Sequence, residues 1–326
     1  MGGTAAIEIL VMTYNRSTLL PATLETLLAQ TVPATSIRVV DNGSTDRTGE
    51  IVRSFAPRGV TYYRRDVNDL AACWRDLQRM PTAEWVMVFH DDDLLHPGYL
   101  GAVSAVIGAF PEATLIGSAM NAEASPDARD WAAVSPKRTT GLLPWREFAR
   151  ILYAGFRFPF CSAVYRTEVF RRTAGDTGTY GKMFDRPFLM EVARAGGAVL
   201  LKDAYVKYRV HPSQDSRDST SGPFPSEALK LQRYYREALG ENPWSRSGRT
   251  FLKRNYRNLS SDFERLCRHD PGGGSRETFF RDAMTIGAAS PRSLRIGAVY
   301  GALTDLPRRL ERSIRNGIRS NRGSAA

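Results

Sequence analysis

The chain has 326 residues, 42% apolar and 24% charged, with a formal net charge of +11, the profile of an ordinary soluble fold with a sizeable core. Cys73, Cys161 and Cys267 are isolated, without paired spacing, which argues against a disulfide framework or a zinc site and fits a reducing cytoplasm. No basic, apolar leader opens the chain and no run of about 18 apolar residues occurs, so neither a signal peptide nor a transmembrane helix is expected.

In chain order, residues 7–12 (IEILVM) predict a buried first strand running into Thr13-Tyr14-Asn15-Arg16. A helix is expected from about Ser17 to Gln30, capped by Ser17 or Thr18, with Leu19, Leu20, Leu24, Leu27 and Leu28 turned inward. Ser36 to Val40 predict a second strand that delivers Asp41-Asn42-Gly43-Ser44-Thr45-Asp46 into a loop, followed by a helix to Phe55. Val60 to Tyr63 predict a third strand and Leu70 to Met80 a third helix.

The chain then reads EWVMVFHDDDLLHP from Glu84 to Pro97, a short apolar strand ending in Asp91, Asp92 and Asp93. Three like charges at the end of a buried strand need water, a cation or hydrogen-bond donors to meet them. Such an edge makes a hard oxygen site suited to Mg²⁺ or Mn²⁺ together with substrate phosphates. The alternative is that the acids only open a helix over Leu94 to Leu100.

Strand and helix alternate, which calls for an α/β fold with a mostly parallel sheet and helices on both faces. Ligands sit outside the carboxyl ends of such strands, so TYNR, DNGSTD and HDDD should converge on one cleft. There is no GxGxxG after the first strand and no GxxxxGK[ST], so phosphates would be met by a metal and basic side chains instead.

YNR, VVDNGSTDRT and FHDDDLLHPGYL, followed by FPFCSAVYRTEVFRRTAG, FDRPFLMEVARAGG and YRVHPSQDS, together resemble the family 2 glycosyltransferases, which have the GT-A fold. The resemblance spans roughly residues 7–216. It implies that Thr13, Tyr14 and Arg16 line a nucleotide pocket, with Tyr14 stacking on the base and Asn68 among the substrate-binding residues. Asp41 would accept a uracil N–H, or anchor a turn with the Gly43 loop, or both. Asp91 would meet the ribose and Asp92 the metal, with Asp93 sharing the ion or standing behind it. Relatives often have Asp where His90 stands. Asp185, eleven residues before Gly196, is the candidate base, although Phe184 and Pro187 replace two acids of the usual motif. Its other reading is a helix N-cap. His211 would reach the metal or diphosphate, and Arg209 a phosphate. Arg64 and Arg65 are weaker candidates. Of Trp74, Trp85, Trp131 and Trp145 as sugar platforms, Trp85 at least reads as core.

Residues 222–326 form a second region. Residues 221–326 hold 20 Lys/Arg against 10 Asp/Glu, which accounts for +10 of the +11. Ala228 to Leu239 and Phe251 to Cys267 predict helices. Val299, Leu303, Leu306, Leu310, Ile314 and Ile318 make an apolar stripe among arginines, a pattern that lies in an anionic membrane interface or packs on protein, including a second copy of the chain. No nucleic-acid motif is present.

The reading is therefore a metal-dependent, inverting glycosyltransferase. It moves a sugar from a nucleoside diphosphate donor, UDP-linked by preference, to a carbohydrate or lipid-linked hydroxyl in polysaccharide or glycolipid assembly. It would be cytoplasmic and peripheral on the inner membrane face. The rivals are a catalytically silent nucleotide-sugar binder and a nucleotidyltransferase.

Overall fold

The structure is a computed structural model that describes residues 4–123, 130–153, 158–211 and 224–240. The chain runs β1 (Ile7–Thr13), α1 (Leu20–Leu28), β2 (Ser36–Asp41), α2 (Thr48–Ser54), β3 (Val60–Arg64), α3 (Leu70–Arg79), β4 (Trp85–His90) and β5 (Leu94–Leu95). There follow α4 (Tyr99–Ala109), β6 (Leu115–Glu123), β7 (Thr139–Leu143), α5 (Trp145–Tyr153), β8 (Val164–Arg166), α6 (Thr167–Arg172), α7 (Thr177–Tyr180), α8 (Asp185–Arg194), β9 (Ala198–Arg209) and α9 (Phe224–Leu239).

The strands lie in the order β3-β2-β1-β4-β8-β6-β9-β5, with β7 also on β9. The first four are mutually parallel, as the alternation of elements predicts, and β6 runs parallel to β9. Among the described residues, antiparallel pairing enters where β5, β7 and β8 join. β1 and β4 are central and buried along nearly their whole length, because Ile9, Val11, Met87 and Phe89 meet helices on one face while Leu10 and Val88 are covered on the other. Register sets the functional edge: Thr13 pairs with Asp41 and Asp41 with Arg64, while Met12 pairs with His90. The carboxyl ends of four strands therefore finish level, and their polar residues share one rim.

Compactness divides the chain into two units, Met1–Leu152 with Phe156–Ser219, and Tyr153–Gly155 with Thr220–Ala326. Of the second, the structure describes Tyr153 and α9, whose Tyr235 ring lies 5.6 Å from that of Tyr153. The expected helix from Phe251 and the basic stripe from Val299 lie outside the described residues.

One helix start differs from expectation, and the alternative reading of the three acids as a helix start does not hold. Neither Ser17 nor Thr18 caps α1; the helix begins at Leu20, with Leu19 in the cap position and no side-chain cap. The reason is a turn in which the Arg16 carbonyl accepts from Leu19 and Leu20, while the Ser17 N–H donates to Asp46 Oδ2 at 3.2 Å. Leu19 and Leu28 are only partly buried, and Thr23 and Thr26 take the inner positions. Nor do the three acids open a helix: Leu94–Leu95 is a strand, and α4 starts at Tyr99 behind Gly98. By contrast α3 has a side-chain cap, Asp69, which accepts from the Ala72 N–H at 2.9 Å.

At the opposite end of the sheet, the buried carboxylate of Glu8 accepts from the N–H groups of Thr82 and Ala83 and from the Ser36 hydroxyl. Burial opposes its charge, but those donors and Arg38 outweigh it and hold the carboxyl below its usual range. A lowered acid contributes stability that is present above its unfolded value, 4.5, and is lost as pH falls through the folded one. Glu8→Ala is therefore expected to cost about 1–3 kcal/mol at neutral pH. In thermal unfolding the gap from the native protein should close as the solution is acidified below that value.

Candidate active site

The rim is knitted together by loop-to-loop bonds. Asn15, at the tip of the turn after β1, has φ of 52°, a left-handed conformation that Asn tolerates better than most residues. In that pose its N–H donates to Ser44 Oγ at 2.9 Å and its Oδ1 accepts from the Thr45 N–H at 2.8 Å. The Arg16 N–H donates to Thr48 Oγ1 at 2.9 Å. The TYNR and DNGSTD turns are thus one rigid wall. Gly43, at φ of 87°, lets the wall close on the next loop, since a Cβ there would come within 2.9 Å of Asn68 N.

Each acid of the HDDD turn has a different task. The Asp91 carboxylate faces the wall: Oδ2 accepts from the Tyr14 N–H at 3.2 Å and Oδ1 lies 3.5 Å from Arg16 Nε. Burial and then the Asp92 charge push Asp91 up to about 7, with Thr13, Arg16 and the Tyr14 N–H pulling the other way. Asp92 Oδ2 lies 3.0 Å from His211 Nε2. Asp93 is wholly buried; its Oδ1 accepts from the Arg209 N–H at 3.1 Å, and its Oδ2 faces His90 Nδ1 at 3.5 Å. Burial works against a charged His90, but Asp93, then Asp92 and Asp91, outweigh it and raise the imidazole to about 9.

Whether these residues suit a hard divalent ion can be tested on spacing. Two ligands about 2.1 Å from one octahedral ion lie about 3.0 Å apart when adjacent, which is the separation of Asp92 Oδ2 and His211 Nε2. That pair fits. Of the two roles expected for Asp93, sharing the ion is not the one this geometry favours, and standing behind the pair is compatible with it. Among the described residues its carboxylate groups with His90 and Cys161 instead, because the backbone of β9 and the His90 ring draw it away from Asp92.

Arg209 also differs from its expected role as a phosphate partner. It is buried, and its guanidinium donates to the Leu19 carbonyl at 2.9 Å, to Thr23 Oγ1 at 2.7 Å and to the Asp92 carbonyl. Thr23, in turn, shares its hydroxyl between the carbonyls of Asp91 and Asp93, each at 3.0 Å. Arg209 and Thr23 are the floor of the acidic turn. Sequence reasoning missed Thr23, whose only signal was a hydroxyl on the inner face of an amphipathic helix.

Asp41 is an anchor of its loop: Oδ1 accepts from the Ser44 N–H at 2.8 Å and Oδ2 from the Tyr62 hydroxyl at 2.5 Å. Asn68 is exposed beside it and accepts from Asn42 Nδ2 at 2.7 Å. Thr13 is buried on the rim and Tyr14 is 39% exposed, available for stacking. Arg64 donates to the Ser44 carbonyl at 3.3 Å, and Arg65 pairs with Asp76.

Asp185 is the first residue of α8, with Phe184 rather than Asp185 in the cap position. Its side chain lies 3.8 Å from Arg186 Nε. Burial raises the Asp185 carboxyl; Arg186, the backbone N–H groups of the helix start and His90 offset it in part. Phe184 and Phe188 flank it and pack edge-on against Trp74, at 4.9 and 5.0 Å. Trp74 is therefore a core residue and not a sugar platform, as Trp85 is also. Trp131 is covered by Lys207, and Trp145 by Arg146 and Arg194.

A curled α/β sheet flanked by helices, with acids at the carboxyl edge of a central strand, defines the GT-A class of glycosyltransferase fold. The sequence profile described as Glycosyl transferase family 2 matches residues 8–173, and the chain belongs to that family. An uncharacterized glycosyltransferase of Haemophilus influenzae is 32% identical over 111 residues, 34% of this chain and 37% of its own. Staphylococcus aureus TarS superposes with a TM-score of 0.60 at 17% identity, over 93% of this chain and 53% of TarS. Its fragment 1–349, solved with UDP-GlcNAc, gives 0.59 at 17% over 96% and 92%. The mannosyltransferase PcManGT of Pyrobaculum calidifontis, solved with GDP-Man and Mn²⁺, gives 0.54 at 16% over 91% and 84%. The chain thus spans little more than a third of that Haemophilus relative and about half of TarS.

Proposed function

We propose that the chain transfers a sugar from a nucleoside diphosphate sugar, UDP-linked by preference, to a hydroxyl acceptor with inversion at the anomeric carbon. The observation that carries the reading is the meeting of Asp91 with Tyr14 and Arg16, and of Asp92 with His211, on one strand-end rim. Family membership and the nucleotide-sugar complexes of TarS and PcManGT support it. Tyr14 offers a ring to the base, and Thr13, Arg16, Asn68 and Asp91 line the nucleotide side. Asp92 and His211 would hold Mg²⁺ or Mn²⁺, which supplies positive charge to the departing diphosphate. Asp185 takes the acceptor proton as the hydroxyl attacks, and the aromatic packing of Phe184 and Phe188 keeps its helix start fixed.

The basic region from residue 222 is proposed to meet an anionic membrane surface, which suits a lipid-linked acceptor. No helix among the described residues is long and apolar enough to cross a membrane.

A panel of nucleotide sugars incubated with Mn²⁺ or Mg²⁺ tests the reading. Release of free nucleoside diphosphate supports sugar transfer; pyrophosphate points to nucleotidyl transfer, and no product with any donor to a silent binder. With the best donor, Asp92→Asn should shift the Mn²⁺ activation curve by more than the roughly 10–100-fold that losing an outer-shell partner costs. An unchanged curve removes Asp92 from the ion.

A further inference from the structure

Behind the acidic edge, three side chains from separate parts of the chain come together. His90 ends β4, Asp93 lies in the turn after it, and Cys161 sits in the 3-10 turn Phe160–Ser162 ahead of β8. One nitrogen, one oxygen and one sulfur from these residues all lie within 4.8 Å of one another. His90 Nδ1 and Asp93 Oδ2 are 3.5 Å apart, close to the roughly 3.3 Å between two ligands that each sit about 2.0 Å from a tetrahedral ion.

A second observation points to a ligand. Asp93 Oδ2 is buried and makes no hydrogen bond, its ion-pair partner being the His90 imidazole 3.5 Å away, while Oδ1 is held by the Arg209 N–H. A buried carboxylate oxygen without a donor is costly, and such atoms call for an explanation, an ion among them. The thiol is also held in place. Ser162, next to it, bonds to the Ser118 N–H at 3.0 Å and to the Pro159 carbonyl at 2.8 Å, and the Tyr99 hydroxyl donates to the Ser162 carbonyl.

We propose that His90, Asp93 and Cys161 form a binding site for a thiophilic divalent ion of the zinc class, separate from the hard-ion pair Asp92 and His211. The donor set decides the class: imidazole and thiolate suit zinc, whereas Mg²⁺ and Mn²⁺ favour oxygen. Coordination takes two protons, one from the His90 imidazole and one from the Cys161 thiol, and both leave to solvent. Asp93 favours the protonated form of each, so only an ion with high affinity for thiolate and imidazole displaces them. His90 is the partly exposed member, which places the entry path and the open fourth position on its side. An ion there puts two positive charges next to Asp92 and antagonises a second ion held by Asp92 and His211.

Co²⁺ added to the metal-free full chain tests the site without any substrate, so the outcome is independent of the transferase reading. One equivalent should give a thiolate-to-cobalt charge-transfer band in the near ultraviolet, and Zn²⁺ should displace it. Cys161→Ser should abolish the band, whereas Asp92→Asn, Cys73→Ser and Cys267→Ser should leave it. His90→Gln, at a partly exposed position that is safer for folding, should weaken Co²⁺ binding more than roughly 10–100-fold. Absence of the band in the native protein, its persistence in Cys161→Ser, or unchanged affinity in His90→Gln overturns the proposal.

Discussion

Asp185→Asn is expected to lower sugar transfer about 10²–10⁴-fold, the range a positioned general base supplies, while the donor dissociation constant stays where it was. The substitution is isosteric and leaves Phe184 and Phe188 packed on Trp74. Two further readouts separate a base from a structural role. Burial raises the Asp185 carboxyl, so the native rate should fall on acidification at a pH above the ordinary aspartate value of about 4, and that limb should vanish from the residual rate of the variant. A raised acid also costs stability once it ionises. Asp185→Asn should therefore melt at the same temperature or higher at neutral pH, whereas loss of a helix cap would cost about 1 kcal/mol. Equal turnover in variant and native protein would remove Asp185 from the mechanism.

Arg209→Met is expected to be the most damaging single change to the fold. It leaves the Leu19 and Asp92 carbonyls and Thr23 Oγ1 without their guanidinium donor. Leaving buried acceptors without a charged donor costs about 1–3 kcal/mol apiece, so about 3–5 kcal/mol for the set. At about 2–4 °C per kcal/mol for a unit of this size, the midpoint should fall by roughly 6–20 °C. Arg209→Lys should recover little, because an ammonium lacks the planar fork that reaches three acceptors. A variant that melts like the native protein yet binds donor weakly would return Arg209 to the role of phosphate partner.

The sequence made the parallel half of the sheet legible because β1, β2 and β4 are apolar runs closed by polar turns. It also identified the acids of the HDDD turn, although not their division of labour. That division depends on contacts from far along the chain: Arg209 and His211 reach back 117 and 119 residues to Asp92. The short strands β5 and β8, of two and three residues, carry too little periodicity to be read. The same limit hid the grouping of His90 with Cys161. Isolated spacing argued against a zinc site, and only folding brings the imidazole, carboxylate and thiol together. At α1 the local signal pointed the wrong way, since a hydroxyl near a helix start caps it only when its own backbone is not engaged elsewhere, and Ser17 is bound to Asp46.

The turn bearing the acids is fastened from beneath by its peptide groups, through Thr23 and Arg209. Side chains projecting from positions 90 to 92 are therefore spared the duty of keeping the turn in shape. A lineage built this way is free to exchange what it displays to a donor, an imidazole for a carboxylate at position 90 for instance, without first having to rescue a collapsing chain.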